Sequence, residues 1–110
     1  MITFDCYDAL TLATWWARYV SGVVHQNDDA SFVTVTADGL TLGFQQVAEP
    51  TPGKNRLHLD LAVGDRRTVR DLLLADGARL VADHEDSSFC WTVLADPEGN
   101  QFCIMQHNGA

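Results

Sequence analysis

The feature that most constrains this chain is a repeat of punctuation. Asp8 precedes an apolar-striped segment that stops at Gly22, and Asp65 precedes another that stops at Gly77. Asp65 lies 57 residues after Asp8, and Gly77 lies 55 after Gly22, each about half of the 110-residue chain. A carboxylate just ahead of a helix accepts the unpaired N–H groups of its first turn. A glycine just past the end takes the positive φ that closes it. Two helices so placed, each among strand-like runs, predict the order βαβββ twice over. Sequence identity between the halves is negligible, so the repeat lies in element order and punctuation.

The first half reads as a strand over 3–7, a helix over 9–20, and strands over 23–26, 31–37 and 40–47. In the helix Leu10, Ala13, Trp16, Ala17 and Val20 recur at three- and four-residue spacing and predict one apolar stripe. Asp38-Gly39 is the strongest short hairpin signal in the chain. Residues 49–54, with Pro50, Pro52 and Gly53, read as a linker between modules 1–48 and 55–110. The second module has a strand over 56–63, a helix over 66–75, and strands over 78–83, 89–95 and 101–106. The expected fold is α+β: a single domain of two βαβββ modules forming a curved mixed sheet around a cleft, helices outside. A half of about 55 residues is too small to close a cleft alone.

Seven Lys and Arg against fifteen Asp and Glu leave a net charge of −8. Nucleic-acid affinity rests on neutralising phosphates with basic side chains, so nucleic acid and anionic membrane surfaces are poor partners here. No apolar run approaches the ~20 residues of a spanning helix, and the first residues show neither a basic region nor a cleavage pattern. Cys6, Cys90 and Cys103 are odd in number and widely spaced, matching neither a disulfide framework nor a zinc motif. These features predict a reduced, cytoplasmic protein. The Arg66, Arg67 and Arg70 charges, balanced by Asp65, Asp71 and Asp76, read as a solvated helix face.

Strand alternation predicts which groups share a face. Over 56–63, Leu57, Leu59, Leu61 and Val63 oppose Arg56, His58 and Asp60; in the first strand Thr3, Asp5 and Tyr7 oppose Phe4 and Cys6. Leu42 and Phe44 oppose Gly43 and Gln45, and Phe102 and Ile104 oppose Gln101, Cys103 and Met105. A face carrying Asp5, Gln45, His58, Asp60 and Cys103 has groups able to bind metal or move protons. The alternative is a face that is solvated or covered in a dimer. Trp91 is a candidate wall for an aromatic or cationic ligand, although strand parity alone does not fix its face. Trp16 reads as core and Trp15 as able to reach an interface. His25 and His84, near Asp28, Asp29, Glu85 and Asp86, read as solvated.

The chain also resembles a known family. The element order, Asp5-Cys6-Tyr7-Asp8 leading into a helix with paired tryptophans, Leu42-Gly43-Phe44-Gln45, and residues 55–61 (Asn-Arg-Leu-His-Leu-Asp-Leu) are similar to the glyoxalase-like branch of the vicinal oxygen chelate superfamily. So is residues 91–103, whose Asp96-Pro97-Glu98-Gly99-Asn100 turn is the most specific piece. Gly99 or Asn100 would take positive φ there. The resemblance implies a cleft that, in metal-dependent relatives, holds a divalent ion on four strand positions. In this chain those positions fall on Met1, Gly43, His58 and Cys103. One good ligand and one thiol stand where four ligands are usual, so no metal and no other cofactor is expected. If an ion were present, His58, Cys103, Asp5 and Asp60 would hold it, the thiolate favouring zinc or iron. The resemblance implies a protein that binds a small molecule in its cleft through Asp5, Gln45, His58, Asp60, Trp91 and Cys103. The alternatives are a glyoxalase-type lyase or isomerase with His58 as acid–base group, and an antibiotic-sequestering protein of the bleomycin-resistance type. A homodimer is the expected assembly.

Overall fold

A computed structural model describes residues 1–26, 29–53 and 58–107. The elements are β1 (Ile2–Cys6), α1 (Ala9–Val20), β2 (Val23–Gln26), β3 (Phe32–Ala37), β4 (Leu40–Gln46), β5 (Asp60–Ala62), α2 (Arg66–Ala75), β6 (Arg79–Glu85), β7 (Phe89–Ala95) and β8 (Gln101–His107). This is βαβββ twice, as the punctuation predicts. The chain divides into two compact units, Met1–Pro52 and Gly53–Ala110. Each holds one four-stranded mixed sheet, ordered β1-β4-β3-β2 in the first and β5-β8-β7-β6 in the second. In both, the leading strand lies parallel to the last strand of its unit and the other pairings are antiparallel. Among the described residues no helix is long and apolar enough to cross a membrane.

The helix starts follow the sequence. Asp8 accepts from the Thr11 N–H and hydroxyl, and Asp65 from the Arg67 and Thr68 N–H groups. Those bonds, Thr68 foremost, hold the Asp65 carboxyl below the ordinary aspartate range. The ends differ between the two helices. Gly77 takes φ +99°, whereas α1 closes on Ser21 at φ +53° and not on Gly22. Gly22 is needed for space, because a Cβ there would collide with the Val35 side chain. Gly39, in the two-residue loop joining paired Ala37 and Leu40, takes φ +71°.

In the first unit α1 packs on β3 and β4. Its buried residues are Ala9, Leu12, Ala13, Trp15 and Trp16. Leu10, expected in the stripe, is 37 % exposed, and Trp15, expected near an interface, is 4 % exposed. Trp16 meets Phe4, Phe4 stacks on Phe44, and Trp15 leans on Trp16 and Tyr19, giving an aromatic core.

In the second unit α2 packs on β6, β7 and β8, with its own Leu73 buried and Leu94, Phe102 and Ile104 buried in the sheet. The solvated-face reading of Arg66 fails, since this residue is only 6 % exposed. Its Nη1 donates to Asp83 Oδ1 at 2.9 Å and to Thr92 Oγ1 at 2.8 Å, and the Thr92 hydroxyl donates to the same carboxylate at 2.5 Å. Arg70 donates to the other oxygen of Asp83 at 3.3 Å. The Thr92 hydroxyl first, then the Arg70 and Arg66 charges, lower the Asp83 pKa against an opposing effect of burial. The Cys90 thiol against the guanidinium raises the Arg66 pKa; burial opposes this, and Asp83 and Glu85 add to it.

Arg56 and Leu57 of the expected strand lie outside the described residues, as do Asp28, Lys54 and Asn55 of the other readings. The formal strand there is short, but its ladder runs further, because Cys103 N–H donates to the Leu59 carbonyl and Val63 N–H to that of Met105.

Candidate functional site

Pairing register fixes the face of each sheet that points away from its helix, since directly opposed residues project to the same side. In the second unit Asp60, Cys103, Val93 and Ala82 form one row across the four strands. Ala62, Met105, Trp91 and His84 form the next. The register thus settles what parity left open: Trp91 stands on the His58–Cys103 face. The intervening residues Ile104, Phe102, Leu94 and Thr92 are buried under α2.

His58 and Asp60 are two apart on one extended segment, so their side chains meet. His58 Nε2 lies 3.3 Å from Asp60 Oδ1, with the side chains 43 % and 53 % exposed. The parallel pairing of Asp60 with Cys103 brings the thiol alongside. A His58 ring nitrogen, an Asp60 carboxylate oxygen and Cys103 Sγ all lie within 4.8 Å of one another. The sequence places these three on one face, and the structure brings them together.

Beside this polar group lies an apolar shelf of Val93, Met105 and Trp91, each half-buried. His84 stacks on Trp91 with centroids 5.1 Å apart and 23° between planes. His84 is exposed, as the sequence reading has it, yet it extends the indole surface. Strand parity alone did not find it, because the β6–β7 register that opposes His84 to Trp91 is not written in either strand. The row beyond carries Phe89 and His107, in edge contact at 5.0 Å.

Asp5 and Gln45 belong to the first unit, where they are paired neighbours on β1 and β4 and both are exposed. Their face holds the row Thr3, Gly43, Thr34 and His25. A Cβ on Gly43 would lie 3.0 Å from Phe32 Cζ, 3.1 Å from Thr3 Oγ1 and 3.2 Å from Met1 Sδ. The space above Gly43 is therefore filled by its neighbours, and a larger residue would displace them. Of the four positions that the resemblance implies for an ion, Met1 offers a thioether and Gly43 offers nothing. Hard divalent ions take oxygen donors and zinc takes thiolate, imidazole or carboxylate, so this set does not fit the ion of metal-dependent relatives. His58 and Cys103 instead group with Asp60, and these N, O and S donors would suit a zinc-like ion over magnesium.

The turn before β8 also follows its sequence. Asp96 is buried, and its Oδ1 accepts from the Glu98 and Asn100 N–H groups at 2.9 Å each. The Asn100 side chain donates to both carboxylate oxygens, and Gly99 takes the positive φ, +94°. This box fixes where β8, and with it Cys103, begins.

Residues 1–105 match the family model of the glyoxalase-like domain. Several solved structures share the fold. A glyoxalase/bleomycin resistance protein/dioxygenase family enzyme from Burkholderia phytofirmans superposes with a TM-score of 0.76 at 20 % identity, covering 96 % of this chain and 94 % of its own. A genomically encoded fosfomycin resistance protein from Listeria monocytogenes gives 0.75 at 11 % identity, over 99 % and 90 %. An antibiotic-binding protein from Streptomyces gives 0.70 at 15 % identity, over 97 % and 93 %. No curated protein matches the chain.

Proposed function

Since this chain belongs to the glyoxalase-like domain family of the vicinal oxygen chelate superfamily, we propose that it binds a small organic molecule and does so without the family's four-ligand metal site. The observation that carries this reading is the second-unit face: a half-buried shelf of Val93, Met105 and Trp91 next to the polar His58, Asp60 and Cys103. Apolar walls with a few convergent polar groups are the general form of a small-molecule site. Asp5 and Gln45, paired on the open face of the first unit, are that unit's own candidates for ligand contact. We place the protein in the cytoplasm as a single-domain homodimer. Antibiotic sequestration is one form of this function, and the net charge of −8 suits a cationic aromatic drug. Titration with bleomycin, followed by tryptophan fluorescence and calorimetry, is expected to give stoichiometric binding that EDTA leaves unchanged and Trp91→Ala weakens at least tenfold. Metal near one ion per chain in the purified protein would overturn the metal-free reading.

The His58–Asp60 pair favours a second reading, a lyase or isomerase of glyoxalase type. A histidine oriented by a carboxylate is a competent acid–base group. In that case His58→Ala abolishes turnover of an α-keto or thiohemiacetal substrate, and full activity in the variant would remove His58 from the role.

A further inference from the structure

We propose that Cys103 is a nucleophile, with His58 as its base and Asp60 as the residue that holds the imidazole, and that it adds to flat α,β-unsaturated carbonyl compounds. Three observations converge on this. The thiol, the imidazole nitrogen and the carboxylate oxygen lie within 4.8 Å of one another, and His58 already contacts Asp60 at 3.3 Å. A nucleophile, a base and a third group orienting the base form the general constellation of nucleophilic catalysis, and it is commonly looser before substrate binds. Cys103 is half-buried whereas Cys6 and Cys90 are buried, so reagents reach this thiol and not the other two.

The substrate class follows from sulfur chemistry and from the shelf. A thiolate is a soft nucleophile and prefers a soft electrophilic carbon. Addition to an enone needs no leaving group and no second reactant. The Sγ–Cβ bond forms as the C=C π pair shifts toward the carbonyl. The thiol proton passes to His58, whose imidazolium Asp60 stabilises, and then to the α-carbon. Atoms and electrons balance within the two molecules. Val93 stands beside Cys103 in the same row, and Met105 and Trp91 in the next. Neighbouring strands are about 4.8 Å apart, so a ring or two attached to the enone reaches the Trp91 face while its β-carbon sits at the sulfur.

This proposal rests on the second-unit face being the binding surface, and its test separates the two. The protein is treated with N-ethylmaleimide and N-phenylmaleimide, which share one electrophile and differ in the ring, and adducts are located by peptide mass spectrometry. Cys103 is expected to label first, and N-phenylmaleimide to react faster than it does with glutathione relative to N-ethylmaleimide. His58→Gln is expected to slow labelling by both reagents about tenfold. That is less than the roughly hundredfold a positioned base gives a hydroxyl, because a thiol ionises in part unaided. Asp60→Asn slows both by a smaller factor. Equal rates in the parent and in a folded His58→Gln variant, or a rate that changes when EDTA is added, would overturn the nucleophile assignment. Trp91→Ala is expected to remove the preference for the phenyl reagent, read as the ratio of the two labelling rates. A preserved preference would refute the shelf, and with it the proposed binding face.

Discussion

The two units start their helices by the same device and then build different interiors beneath them. In each, an aspartate caps the first turn, and a glutamine at the end of the strand beside the leading strand accepts, through its side-chain carbonyl oxygen, from the first helical N–H. Gln46 serves Ala9 at 3.1 Å, and Gln106 serves Arg66 at 2.7 Å. Between α1 and its sheet lie Leu12, Trp15 and Trp16 of the helix and Phe4 and Phe44 of the strands. Under α2 a guanidinium, a carboxylate and a hydroxyl occupy part of the same layer. Backbone scheme and core chemistry are therefore separable: one βαβββ plan accepts an aromatic core or a partly ionic one. The open faces diverge in parallel. Met1, Thr3 and Gly43 stand in the first unit where His58, Asp60 and Cys103 stand in the second, so reactive groups collect on one side of the repeat.

The sharpest way to break this comparison is to damage each interior in its own currency. Trp16→Ala removes the largest fully buried side chain of the aromatic core, and is expected to cost about 3–5 kcal/mol in urea unfolding. A loss below about 1 kcal/mol would mean that the aromatic stack does not carry the first unit. Asp83→Asn is next, expected at about 2–3 kcal/mol, because it leaves the buried Arg66 cation without its counter-charge. Arg66→Leu is expected to cost less than Asp83→Asn, since it removes the charge that would be stranded. A larger loss in Arg66→Leu would show that packing of the arginine stem, and not its charge, holds α2 down. The pH dependence gives an independent check. Asp83 has its pKa lowered in the folded state, so its contribution is present above the ordinary aspartate value of about 3.9. It fades as pH falls through the lower folded value. The stability gap between the parent and Asp83→Asn is therefore expected to narrow below about pH 4, and a constant gap would reject the charged pair.

Local signals carried most of the fold. Both helices and β2 and β7 fall on the residues that spacing and capping predict, because caps, periodicity and turn residues act over a few positions. What the sequence hid depends on partners far along the chain. Arg66 looked solvated since nothing near it announces Asp83 and Thr92, 17 and 26 residues on. Residue spacing runs the α1 stripe through Leu10 and Val20, while the buried face turns toward Leu12 and Trp15. Both stripes share Ala13 and Trp16, and only the sheet beneath decides between them. For the site, alternation put His58 and Asp60 on one face and Cys103 on the open face of its own strand. It could not supply the cross-strand register that sets Trp91 beside Met105 and His84. The glutamines beneath the helix starts were invisible for the same reason, being 37 and 40 residues from the N–H groups they serve.

Those glutamines give the smallest expected effect and the most direct measure of how far the repeat goes. Each satisfies an N–H that the helix itself cannot, but in unequal surroundings: Gln46 is exposed and Gln106 half-buried. A hydrogen bond contributes about 0.5–1.5 kcal/mol net, and the loss grows when the orphaned donor is shielded from water. Gln106→Ala is therefore expected to cost about 1 kcal/mol and Gln46→Ala about half that. Amide hydrogen exchange reads the same bonds locally, faster at Arg66 in the first variant and at Ala9 in the second. Were exchange at Arg66 unchanged in Gln106→Ala, the N–H would already be satisfied elsewhere, and the matched helix starts would be a likeness of geometry without shared energetics.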